Sequence, residues 1–296
     1  MERLASKPIR EAIEVDLKKE VARIKEEAKI EVCLAVILVG DDPASHVYVA
    51  SKEKACGRLG IKSIVMRLPA ETSQAELLAL IDQYNKDPDI HGILCQVPLP
   101  KHCNESEMIE AIAPQKDVDC FHPYNLGLLA AGTPKFMPCT PFGVLQILKR
   151  SQIQTSGKKV VIVGRSNIVG RPLSILLSLK EWNATVTLCH SGTADLAAEC
   201  RQADILIAAI GRPDFITKEF VKPGAVLIDV GINRVEDPEH PKGARLVGDI
   251  DYEGVSSIAS ACTPVPGGVG PMTINMLMYN VVNAARFQLG LEAYKL

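Results

Sequence analysis

The sequence predicts an α/β fold of two lobes, each built on a mainly parallel sheet. Short apolar, β-branched runs alternate with helical patterns from one end of the chain to the other. A connection rich in Pro, Gly and Asn at 114–141 divides that alternation into two halves. The second half opens with an apolar run, a glycine turn and a helical pattern at 159–172, the arrangement that places a nucleotide phosphate at a helix N-terminus.

Residues 8–30 carry Ile9, Ile13, Leu17, Val21 and Ile24 at helical spacing among charges, an amphipathic helix. The unbroken apolar run 32–39 reads as a strand buried on both faces. Gly40-Asp-Asp-Pro43 breaks it, and a helix is expected to about Leu59. Strands at 61–68 and 92–97 flank a helix at 73–85, and Pro98-Leu-Pro100 stops the second of them. A helix at 105–112 precedes the long connection, and one at 141–150 bridges to the second half. There, strands are expected at 159–163, 184–188, 204–208 and 225–230, with Val247-Gly-Asp249 as a further candidate. A last amphipathic helix runs to about Leu289.

Composition narrows the function. In 296 residues, 47% are hydrophobic, enough for two cores. A net charge of −2 without a long basic run argues against a nucleic-acid surface, and 4% aromatics against base-stacking platforms. The nine cysteines are odd in number and scattered, with no Cys-x-x-Cys, which fits a reducing compartment. The six histidines form no pair with ligand spacing, so no metal site is supported. The N-terminal Met-Glu-Arg-Leu-Ala-Ser-Lys-Pro lacks the apolar core of a signal peptide, and no apolar run approaches membrane-helix length. The expectation is a soluble cytoplasmic protein.

The glycine turn is Gly164-x5-Gly170, which is weak as a motif alone. Its context is more telling. NAD-binding units carry an acid at the end of the second strand for the ribose 2′-hydroxyl. Here that strand ends Thr187-Leu-Cys-His-Ser-Gly192, with no acid. Arg165, inside the turn, and Ser191 suit a 2′-phosphate, so NADP is favoured over NAD; a solvated loop arginine is the plainer alternative. Gly211 and Gly231 end two further strands, either as ordinary punctuation or to let backbone approach the nicotinamide.

In the first half, Tyr48 and Lys52 lie four apart and share a helix face. Such a pair beside a cleft orients substrate or relays protons, and a desolvated lysine acts as a base. A core tyrosine and a solvated lysine is the plainer reading. Gln96, ending an apolar strand, needs partners for a buried amide. Asp117 and Asp119 in Lys116-Asp-Val-Asp119 suit either a flat heterocycle or turn capping.

Six blocks in this order change the reading: Tyr48-Val-Ala-Ser-Lys52, Gly92-Ile-Leu-Cys-Gln-Val-Pro-Leu-Pro100, Lys116-Asp-Val-Asp119, Pro138-Cys-Thr-Pro141, Val163-Gly-Arg-Ser-Asn-Ile-Val-Gly170 and Thr263-Pro-Val-Pro-Gly-Gly-Val-Gly-Pro-Met-Thr273. Over nearly its whole length the chain resembles the bifunctional methylenetetrahydrofolate dehydrogenase/methenyltetrahydrofolate cyclohydrolase family. The resemblance implies a catalytic lobe at 1–140, completed by a C-terminal helix at 271–296, and a Rossmann-type NADP-binding domain at 141–270. It implies a cytoplasmic homodimer with a folate cleft between the lobes. It implies oxidation of 5,10-methylenetetrahydrofolate by NADP, then hydrolysis of the methenyl cation to 10-formyltetrahydrofolate. By the same resemblance Lys52 is central to hydrolysis, Tyr48 stacks on the folate, Gln96 tunes Lys52, and Asp119 holds the pterin. Gly164, Arg165, Ser166, Ser191 and Ile232 take NADP. The loop containing Pro266, Gly267, Gly268, Gly270, Pro271 and Thr273 closes the folate side.

One position departs from the family pattern: Cys120 stands where the family usually has glycine after Lys-Asp-Val-Asp. If that position needs a positive φ, cysteine is strained there by ~1–2 kcal/mol. The thiol is expected to be inert, the alternative being an exposed reactive one. Two alternatives to the bifunctional reading are a dehydrogenase without cyclohydrolase activity and a non-catalytic NADP- or folate-binding sensor. The presence of Tyr48, Lys52, Gln96 and Asp119 argues against both.

Overall fold

The computed structural model describes residues 1–238 and 243–296. Its strands are β1 (Glu2–Arg3), β2 (Cys33–Val39), β3 (Lys62–Leu68), β4 (Gly92–Cys95), β5 (Lys159–Val163), β6 (Thr185–Cys189), β7 (Ile205–Ala208), β8 (Val226–Asp229), β9 (Asn233–Glu236), β10 (Ala244–Val247) and β11 (Ala261–Cys262). Its helices are α1 (Lys7–Ala28), α2 (Pro43–Leu59), α3 (Gln74–Lys86), α4 (Glu105–Ala111), α5 (Pro123–Ala130), α6 (Cys139–Arg150), α7 (Gly170–Ser178), α8 (Leu196–Cys200) and α9 (Val269–Gln288). The chain divides into two compact units, Met1–Glu11 with Thr140–Thr273, and Ala12–Cys139 with Ile274–Leu296.

The Ala12–Cys139 unit holds a parallel sheet of order β3-β2-β4. Its middle strand β2 is buried at every position, as an unbroken apolar run requires. One face of β2 (Cys33, Ala35, Ile37, Val39) packs with Leu77, Ile81 and Tyr84 of α3. Ser73 and Glu76 close the N-terminus of α3 as a capping box. At its other end the buried Lys116 donates to the carbonyls of Tyr84 and Asp87 at 2.9 and 2.6 Å, a cationic cap for a helix C-terminus. A parallel bridge between Ile93 and Asp117 lays the start of the long connection beside β4.

That connection is not structureless. It contains α5, whose N-cap His122 accepts from Tyr124 N–H and whose Pro123 occupies the first turn.

The other unit is built on a six-stranded parallel sheet of order β1-β11-β8-β7-β5-β6. From β5 the chain crosses to β6 on one side and then to β7 on the other. This is the strand-order reversal at which open α/β sheets bind ligands. Val161, Val163, Leu206, Ala208, Leu227 and Cys262 lie in one core cluster. β9 and β10 form a separate antiparallel pair, so 244–247 is an edge ribbon, and Ile250 makes only an isolated bridge to Ile216.

Two boundaries differ from the expected 1–140 and 141–270 division. Glu2 and Arg3 pair with Ala261 and Cys262, which ties the N-terminal residues to the second sheet. Two-residue strands carry no periodicity, so neither β1 nor β11 was legible. The last helix begins at Val269, earlier than expected, and stops at Gln288; its residues from Ile274 onward belong to the first sheet's unit.

Candidate active site and cofactor loops

Two strand ends and an isolated bridge in the Ala12–Cys139 unit lead to the candidate catalytic residues. α2 follows β2 and carries Tyr48 and Lys52 on one face; Asp42 caps it by accepting from Ser45 N–H. Gln96 follows β4, and Asp119 follows the bridge beside it. Lys52 Nζ donates to Gln96 Oε1 at 2.8 Å, and Gln96 Nε2 donates to the Val97 carbonyl at 2.7 Å. Both dipole ends of the Gln96 amide are therefore engaged, and its oxygen is fixed toward the amine.

Burial lowers Lys52 below the ordinary lysine range, with the nearby Asp119 carboxylate acting in opposition. Burial raises Asp119, opposed by Lys52 and by the Cys139 thiol. Tyr48 is 41% exposed, leaving its ring free to meet a ligand.

The backbone under Asp119 is pinned from behind. Buried Asn280 of α9 donates to the carbonyls of Val118 and Met137 at 2.7 and 2.8 Å. The Cys139 thiol donates to the Val118 carbonyl at 3.4 Å. Asp117 accepts from Phe121 N–H, His122 N–H and Asn125 Nδ2, so of the two carboxylates it is the turn cap. Cys120 has φ +61°, the left-handed backbone expected of a position the family fills with glycine. Its thiol is fully buried, donates to the Phe136 carbonyl at 3.4 Å, and is pushed up by burial, hence inert.

In the second sheet, Val163 pairs with Cys189, so the turns after β5 and β6 emerge level with each other. Arg165, Ser166 and Ser191 are exposed on those turns. The turn after β5 has no room for side chains at its glycines. A Cβ on Gly164 (φ +124°) meets the Ala209 carbonyl oxygen at 2.1 Å, and one on Gly170 meets that of Gly164 at 1.8 Å. Ser166 Oγ accepts from Val169 N–H at 3.1 Å and Gly170 N–H at 3.4 Å, shaping the entry to α7. Asp195, the first acid after β6, caps α8 by accepting from Ala198 N–H. Ile232, 42% exposed, lies against Gly270, where a Cβ would approach its Cδ1 to 2.8 Å.

A profile of the tetrahydrofolate dehydrogenase/cyclohydrolase catalytic domain matches residues 4–119, and one of the NAD(P)-binding domain of the same family matches 138–289. The chain belongs to this family. The bifunctional protein FolD of Moorella thermoacetica is 56% identical over 283 residues, covering 96% of this chain and 98% of that protein. The crystal structure of bifunctional FolD from Campylobacter jejuni superposes with a TM-score of 0.91 at 48% identity, over 97% of this chain and 99% of that one. The Trypanosoma brucei dehydrogenase-cyclohydrolase, solved with NADP and an inhibitor, gives 0.91 at 36% identity, over 96% and 97%.

Within this family member, Pro266, Gly267 and Gly268 form a tight turn: Gly267 has φ +103° and its carbonyl accepts from Ser6 N–H and Oγ, both at 2.9 Å. Gly270, Pro271 and Thr273 belong to α9 rather than to the loop expected there, a correction to the secondary structure of this stretch. Pro271 is tolerated because first-turn N–H groups have no partner within the helix. Thr273 Oγ1 lies 3.0 Å from Thr140 Oγ1. Sequence reasoning missed Cys139, Asn280 and the acids Asp229 and Asp249. Asp229 is buried and accepts from Gly231, Asp249 and Ile250 N–H; burial pushes it up to about 7. The Gly-Asp pair ending the run before Ile250 was the signal for Asp249, which is fully buried.

Proposed function

We propose that this chain oxidises 5,10-methylenetetrahydrofolate with NADP and hydrolyses the resulting methenyl cation to 10-formyltetrahydrofolate. The observation that carries the reading is the Lys52–Gln96–Asp119 constellation in a member of this family: a desolvated amine, its orienting amide and a half-buried carboxyl.

Bound NADP supplies the hydride acceptor. The donor carbon is flanked by two nitrogens whose lone pairs stabilise the product cation, so this step asks for positioning rather than for a strong acid or base. Tyr48 stacks on the folate, and Asp119 accepts N–H bonds from the pterin. In the second step water attacks the methenyl carbon. Lys52, whose ammonium form is disfavoured, takes a proton from that water, with Gln96 Oε1 orienting the amine. The ammonium then returns the proton to the departing ring nitrogen as the C–N bond breaks, and the remaining hydroxyl proton leaves to solvent.

The residues of the second sheet fit NADP. The turn at Gly164 and Gly170 is a cradle that a single Cβ would fill, so backbone approaches a phosphate closely there. Arg165 and Ser191 sit on adjacent turns with no free acid between them, and they would hold the 2′-phosphate. Ile232 and the Pro266–Gly268 turn would line the nicotinamide and folate side. Among the described residues no helix is long and apolar enough to cross a membrane, and all nine cysteines are free and buried. The free cysteines support a reducing, cytoplasmic setting. The homodimer reading rests on family membership alone, and light scattering tests it.

The deciding experiment follows methenyl and NADPH absorbance after mixing methylenetetrahydrofolate, NADP and protein. NADPH should appear while methenyl absorbance rises and then decays faster than without protein. Absence of NADPH refutes the dehydrogenase; uncatalysed decay refutes the cyclohydrolase.

A further inference from the structure

Two buried carboxylates in the second unit are not accounted for by substrate or phosphate binding. Asp229 ends β8, and Asp249 follows Gly248 beyond β10; they are 3% and 0% exposed. The Asp249 carboxylate accepts from three successive backbone N–H groups, those of Ile210, Gly211 and Arg212, at 2.6, 2.9 and 2.9 Å. These lie just past β7, beside the strand-order reversal. It also accepts from Asn233 Nδ2 at 3.0 Å, on the segment that carries Ile232. A run of amides around one anion is a nest that would otherwise open toward ligand or water.

The second carboxylate holds the first. Asp229 accepts from Asp249 N–H and Ile250 N–H, both at 2.9 Å, and from Gly231 N–H at 3.0 Å. The packing is reciprocal. A Cβ on Gly231 meets Asp249 Oδ1 at 2.2 Å, and a Cβ on Gly248 meets Asp229 Oδ2 at 1.8 Å. Each acid therefore lies against the glycine beside the other acid, and neither glycine admits a side chain. Thr263 Oγ1 accepts from Asp229 N–H at 2.7 Å, which locks the pair to the strand leading into the Pro266 turn.

We infer that Asp249 is a positioning residue of the dehydrogenase half-reaction: its carboxylate joins the Ile210–Arg212 turn and the Gly231–Asn233 segment into one rigid wall for the nicotinamide end of NADP, and Asp229 holds that carboxylate in place. The inference rests on the NADP reading above. A carboxylate presents only acceptors to three donors that converge on it, whereas an asparagine must present an NH2 group to at least one of them. The turn then has no single arrangement that satisfies its N–H groups, and binding must order it again.

The test uses the full chain with the substitutions Asp249→Asn, Gly231→Ala and, as a control, Val255→Ala in the core of the same unit. Hydrogen exchange in the ligand-free protein should show the Ile210–Arg212 amides protected in wild type and in Val255→Ala. It should show them exchanging at least about tenfold faster in the other two. Calorimetric NADP affinity and the KM for NADP should each worsen at least about tenfold in Asp249→Asn and Gly231→Ala, by the scale of a charge-assisted bond. Hydrolysis of methenyltetrahydrofolate without NADP, which draws on Lys52, should stay at the wild-type rate in Val255→Ala and change far less than NADP affinity in the other two. If protection and NADP affinity in Asp249→Asn stay within about twofold of wild type, the inference is overturned. It is equally overturned if Val255→Ala weakens NADP as much, because general softening of the unit then suffices. A wild-type chain that neither binds nor reduces NADP would instead overturn the functional reading, a distinguishable result.

Discussion

Replacing Lys52 by Met separates the two half-reactions most directly. Methionine keeps the length and apolar stem of lysine and removes the amine. The loss for stability is one hydrogen bond and an unsatisfied Gln96 Oε1, together about 1–3 kcal/mol. The desolvation that lowers Lys52 in the wild type disappears with the charge and offsets part of that. The variant should therefore fold, with a melting shift of a few degrees. Catalysis is affected far more. General acid–base assistance contributes about 10²–10⁴, so hydrolysis of methenyltetrahydrofolate should fall by at least about 10². Hydride transfer needs no base and should fall much less. If Gln96 acts through Lys52, Gln96→Ala slows hydrolysis in wild type and does nothing further in the Lys52→Met background. The pH profile adds an independent check. Hydrolysis requires neutral Lys52, so its rate rises with pH, and the ascending limb must lie below the ordinary lysine pKa of 10.5. Methenyl decay in Lys52→Met at the enzyme-catalysed wild-type rate refutes the role of Lys52 outright.

Three further outcomes are expected. Arg165→Ala should raise the KM for NADP about 10- to 100-fold while leaving that for NAD nearly unchanged, since only the 2′-phosphate loses a charged partner; equal changes for both cofactors contradict the assignment. At Cys120, Cys120→Gly should be at least as stable to urea as Cys120→Ala. Glycine relieves about 1–2 kcal/mol of left-handed strain against about 0.8 kcal/mol for one buried carbon, and an alanine variant more stable by about 1 kcal/mol would show the strain to be negligible. His91 is buried, and its Nδ1 accepts from Cys33 N–H at 3.1 Å, so burial lowers it from 6.5. The unfolded chain takes up that proton first, so stability is lost as pH falls below about 6.5, by up to about 1.4 kcal/mol per unit; His91→Gln should flatten that slope in denaturant titrations.

Much of the fold was legible because its signals are local. β2 is a single apolar run, α1 a clean helical stripe, and the turn at Gly164 a strand-to-helix junction; each appears within about two residues of its expected span. The illegible parts depend on partners distant in sequence. β1 exists only through pairing with β11, and Asn280 matters only because α9 brings it under Val118. Asp229 and Asp249 look like ordinary strand-end acids until each is seen against the other's glycine. The Pro266–Thr273 stretch differs for another reason: its glycines and prolines suggest a loop throughout, yet proline is compatible with the opening of α9.

The spacing of the site residues has one topological cause. In both sheets an early strand takes a middle place, β2 between β3 and β4, and β5 between β6 and β7. Later strands return on either side, so their carboxyl ends come together around the first glycine turn although they are far apart in sequence. Lys52 and Gln96 are separated by 44 residues and meet for this reason, as do Gly164 and Ala209. Chemistry needs such a junction because every parallel strand there stops hydrogen-bonding and leaves side chains and amides facing one region. It also explains why the strained Cys120, the half-buried Asp119 and the buried Asp249 all lie just past strands or bridges. A parallel sheet holds the backbone rigidly up to that edge, and the packed residues beneath it over-determine the conformation of the next few positions. Cys120, with φ +61° directly after Asp119, is one such position.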